Sequence, residues 1–65
     1  MYKINRKEGK VIVTDSDGRV VYSADPDSIL VYRRQSDQKV EAAKVSGFTD
    51  EALLIALANV VVLKQ

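Results

Sequence analysis

Between Ala52 and Leu63 the chain reads ALLIALANVVVL, and Asn59 is the one polar side chain in that stretch. The segment lies almost at the end of a chain of 65 residues. Folding at that length hides only about 60% of the surface that the unfolded chain exposes, so a lone copy has too little interior to wrap the segment on every side. As a helix it is about 18 Å long, and a bilayer core takes roughly 20 apolar residues to cross. No membrane span is expected.

The segment begins like a helix. In SGFTDEALL, Thr49 is placed to cap the N-terminus, Asp50 and Glu51 put negative charge in the first turn, and Phe48 precedes the cap with Leu53 at the fourth helical position, the spacing of a hydrophobic staple. The end is open to two readings. A single helix continues to Leu63, or the helix stops at a left-handed Asn59 and VVVLK forms a final strand. The single helix is the expectation here. At about 100° per residue, Leu53, Ala56, Leu57 and Val60 gather on one side while Leu54, Ile55, Ala58, Val61 and Val62 occupy the other. No polar face exists, and a helix that is apolar all round has to be covered all round.

The rest of the chain is strand-like. Tyr2–Asn5 is a short strand, Asn5–Gly9 a polar turn, and Lys10–Thr14 (KVIVT) a β-branched run. DSDG at 15–18 then separates it from Arg19–Ala24 (RVVYSA), which predicts a β-hairpin built on a type I turn with Gly18 left-handed. Asp25-Pro26-Asp27 makes a further turn, Ser28–Arg33 is a fourth strand, Arg34–Gln38 a polar loop and Lys39–Val45 a fifth strand. Apolar side chains fall on both faces of these strands: Val11 and Val13 oppose Ile12, Val20 and Tyr22 oppose Val21, and Ile29 and Val31 oppose Leu30 and Tyr32. The expected architecture is therefore α+β, one domain over 1–65, an antiparallel meander of four to five strands with one C-terminal apolar helix. Both layers ask for cover, which points to self-association as a homodimer or higher oligomer through Leu53, Leu54, Leu57, Val60 and Val61. Asn59 then reads as a helix cap, as a residue paired with its own copy across a two-fold axis, or as a solvated side chain.

Catalysis fits poorly. The chain has no His, no Cys and no Trp, which removes the commonest general base, the thiol nucleophile and the ligands of an ordinary zinc site. Ser16, Ser23, Ser28, Ser36 and Ser46 have no imidazole to activate them, and no cofactor is implied. Asp15 and Asp17 with Gly18 resemble half of a calcium loop, but Val13 sits where a further oxygen ligand is needed, and turn chemistry explains the aspartates better. The basic start MYKINRKEGK is followed by no apolar core of a signal peptide, and the absence of cysteine fits a cytoplasmic chain.

Ten basic residues against nine acidic give a net charge of +1, far from the profile of a dedicated nucleic-acid binder. The alternative function is nonetheless weak nucleic-acid binding, with Arg33, Arg34 and Lys39 aligned across a dimer into a basic stripe. Against it, a simple meander sets Arg6 and Lys7 at one end with Asp25 and Asp27, and Arg34 at the other with Asp15 and Asp17, so that charges pair among themselves. The primary expectation is a non-catalytic assembly module whose partner is itself, another protein being possible.

Overall fold

The computed structural model describes residues 1–61. Five antiparallel strands precede one α-helix: β1 (Lys3–Lys7), β2 (Lys10–Thr14), β3 (Val20–Ala24), β4 (Ile29–Arg33), β5 (Val40–Lys44) and α1 (Asp50–Ala58), with a 3₁₀ turn at Val45–Gly47 before the helix. The expected α+β meander is present, divided into two sheets: β1-β2-β3 in one and β4-β5 in the other. The division falls at Pro26. Ser28 donates to the Asp25 carbonyl (3.0 Å) to close that turn, and the chain leaves β3 without returning along its edge.

The first hairpin is tighter than the sequence suggests. β1 continues through Lys7, which pairs with Lys10, so the loop is only Glu8-Gly9, with φ of 53° and 79°. Two left-handed residues make the turn whose twist matches that of the strands it joins; accepting that conformation at Glu8 replaces the expected five-residue turn with two. The second hairpin forms as expected. Gly18 has φ of 80°, and its N–H donates to the Asp15 carbonyl (3.1 Å) while the Asp15 N–H donates to the Arg19 carbonyl (2.9 Å). Asp15 also accepts from the N–H groups of Asp17 (2.9 Å) and Arg19 (3.0 Å) through one carboxylate oxygen. That carboxylate is serving the turn, as an aspartate there ordinarily does.

One irregularity follows the turn. Val13 pairs with Tyr22 but Thr14 with Val20, so Val21 is an extra residue on β3 and the strand is bulged.

Val11, Val13, Leu30, Val45, Leu53 and Ala56 form the buried core, with Ile4, Tyr22, Ala24, Tyr32, Phe48, Leu54 and Leu57 packed around it. The helix starts at the expected cap: Thr49 Oγ1 accepts from the Ala52 N–H at 3.2 Å. Phe48 meets Tyr32 edge-on, with ring centroids 5.4 Å apart.

The expectation of a single helix to Leu63 is overturned, because α1 ends at Ala58. Asn59, with φ of −122°, is not left-handed; its N–H donates to the Ala56 carbonyl (3.0 Å) and its Nδ2 to the Ile55 carbonyl (2.9 Å). Beyond it the chain turns onto the open edge of β4: Arg33 N–H donates to the Asn59 carbonyl (2.9 Å), Val61 N–H donates to the Val31 carbonyl (3.1 Å), and Val60 bridges Tyr32. A β-branched run loses side-chain freedom in a helix, and the β4 edge offers hydrogen bonds that the run takes instead. Val62 and Leu63, the rest of the expected helix, lie outside the described residues. Among the described residues no helix is long and apolar enough to cross a membrane.

Candidate interaction surface

The helix packs closely against β4, and between its second half and the three-stranded sheet it leaves an open apolar cleft of about 370 Å³. Leu54, Leu57 and Ala58 form the helical wall, Val21 and Tyr22 the strand wall, with Val13 deep between them and Tyr2 and Val60 at the rim. The β3 bulge builds the strand wall. In a regular strand Val21 and Tyr22 point to opposite faces, whereas two successive bulged residues opposite Val13 both reach the cleft. Burial beside the cleft holds the Tyr22 hydroxyl above its ordinary pKa.

The residues expected at an oligomer contact separate in the structure. Leu53 is fully buried in the chain's own core. Leu54 and Leu57 are half-buried in the cleft wall, Val60 is 45% exposed at its rim, and Val61 is half-buried beside β4. Helical periodicity places Leu53 with Leu57, but the sheet covers one and leaves the other at an opening. Tyr2, Val21 and Tyr22 are not among the expected contact residues. Their place in the cleft depends on a bulge and on a docking angle between sheet and helix, and neither has a local sequence signal.

Among the described residues, Arg6, Arg34 and Lys44 form ion pairs, though not those that a simple meander predicts. Arg6 lies on the inward face of β1, opposite Val11, and reaches the start of the helix, where it donates to Asp50 (2.9 Å) and to the Phe48 carbonyl (3.0 Å). Lys44 lies 3.7 Å from Asp27. Arg34 binds Asp37, which also accepts from the Lys39 N–H, and contacts Glu41 at 2.9 Å. The aspartates at the ends of β2 and β3 are not the partners: Arg34 follows β4, in the other sheet from Asp15 and Asp17, and Arg6, although at the same sheet end as Asp25, turns to the start of the helix. Arg33, Arg34 and Lys39 do share one end of the β4–β5 hairpin, but Arg34 faces two carboxylates there and Arg33 donates to the Gln38 carbonyl (3.3 Å).

The hairpin charges have consistent electrostatics. The Arg34 guanidinium, followed by the Lys39 N–H, holds the Asp37 carboxyl below its ordinary pKa, and Asp37 in turn raises that of Arg34. Tyr32 donates its hydroxyl to Glu41 (3.0 Å); that bond, with some burial, raises the pKa of the phenol. Arg34, Asp37, Glu41 and Tyr32 thus form one polar network within the β4–β5 hairpin. Comparison of the chain with protein-family models, with curated proteins and with solved structures finds no match.

Proposed function

We propose that the chain is a non-catalytic assembly module that works as a homo-oligomer, with the apolar cleft between α1 and β3 as its contact region. The observation that carries this reading is the cleft itself. Among the described residues, Leu54, Leu57, Val21 and Val60 stay partly or largely uncovered around one opening, an apolar surface that a second copy can cover. A second copy supplies what a chain of this length lacks, additional buried area. The absence of His and Cys supports a role in binding over one in covalent or acid–base chemistry.

The test is the solution mass by light scattering on a sizing column, at several protein concentrations. The expected result is a multiple of the 7.2 kDa chain mass. Val60→Lys, at an exposed side chain whose backbone alone bridges β4, should keep its far-UV circular dichroism yet shift to the monomer mass. A 7.2 kDa species at every concentration overturns the assembly role, and a folded Val60→Lys protein of unchanged mass removes the cleft from the interface.

A further inference from the structure

The described strand edges differ in how they are protected. β1 carries Lys3, Arg6 and Lys7, and charge on an edge discourages pairing with another chain. The free edge of β4 is taken by Val60 and Val61, and β5 carries Glu41 and Lys44. β3 forms the other outer edge of its sheet with the sequence VVYSA, without a charged residue, and Val20 and Val21 are 61% and 51% exposed. The charges flank it instead. Arg19 precedes the strand and Asp25 follows it, each three positions from Tyr22. Both are exposed, and neither has an ion-pair partner among the described residues.

Resting on the self-association reading, we propose that β3 pairs antiparallel with β3 of a second copy, about a two-fold axis near Tyr22. In that arrangement the Arg19 end of each strand meets the Asp25 end of the other, so the same favourable charge contact forms twice. A parallel pairing sets Arg19 against Arg19 and Asp25 against Asp25, which repel. The two-fold arrangement is closed and uses one self-complementary surface, as dimers ordinarily do. Val21 and Tyr22 are also the strand wall of the cleft, so joining the β3 edges sets the two clefts side by side and continues the apolar surface from one copy into the next.

Charge reversal tests the pairing directly. Sedimentation equilibrium at low salt is measured on the full chain for the wild type, Arg19→Asp, Asp25→Arg, the double variant and an equimolar mixture of the two single variants. Both side chains are exposed and without side-chain hydrogen bonds among the described residues, so the fold is retained, which circular dichroism checks. Each single reversal should weaken the dimer about tenfold, because two attractive contacts become repulsive. The double variant and the mixture should both restore it, since Asp at 19 again meets Arg at 25. A dimer indifferent to both single reversals, or single variants that neither the double change nor mixing rescues, overturns the β3 pairing while self-association stands. A wild-type monomer overturns both.

Discussion

Glu8 is held at φ of 53° beside Gly9 at 79°. Left-handed backbone costs an ordinary L-residue roughly 1–2 kcal/mol, and Asn tolerates it best among the non-glycine residues that form this kind of turn. Glu8 is exposed, so its side chain has little packing to lose. Glu8→Asn is therefore expected to stabilise the chain by on the order of 0.5–1 kcal/mol. In urea denaturation the midpoint should rise with the slope unchanged. A lower midpoint means that the Glu8 carboxylate contributes more than the backbone strain it carries.

At the scale of elements the informative place is the end of α1. A left-handed helix end is improved by glycine, and the sequence allows that reading of Asn59. Asn59 instead has a negative φ of −122°, with Nδ2 bonded to the Ile55 carbonyl. Both Asn59→Gly and Asn59→Ala should then destabilise the chain, by about 0.5–1.5 kcal/mol for the lost hydrogen bond and further in the glycine variant. A glycine variant as stable as the wild type, measured by the same denaturation, would return Asn59 to the left-handed class. What was legible in the sequence follows the same division. Signals within a few residues held: the DSDG turn with Gly18, the Thr49 cap, and all five strands to within a few positions. The expectations that failed depended on distant partners. The helix was expected to continue into the valines because their alternative, the open edge of β4, lies nearly thirty residues away in sequence, and the two-residue first turn was hidden because Glu at a left-handed position has no local signature. Half of the cleft was legible, since Leu54, Leu57 and Val60 stood out as apolar residues with nothing to cover them. The β3 half was not, because alternation assigns Val21 to the face opposite Tyr22 until a bulge puts both in one opening.

For the whole molecule the question is how so small a core, six buried residues among those described, sustains a fold, and the two roles proposed for its apolar residues predict different melting behaviour. If copies associate, unfolding is coupled to dissociation and the melting midpoint depends on protein concentration. A tenfold change in concentration is worth about 1.4 kcal/mol per dimer, which for two chains of this size corresponds to roughly 5 °C. Leu53 and Val60 then separate. Leu53→Ala opens a cavity within each chain, a change that ordinarily costs about 2–5 kcal/mol, and should lower the midpoint at every concentration while the concentration dependence persists wherever the protein remains folded. Val60→Lys leaves the core intact and acts at the rim of the cleft, so its midpoint should become independent of concentration and meet that of the wild type at high dilution. Calorimetric scans across a hundredfold concentration range check both. A wild-type midpoint that does not move over that range means that the chain's own core holds the fold without a second copy, and that the exposed valines of β3 and the cleft have to be explained by a different partner.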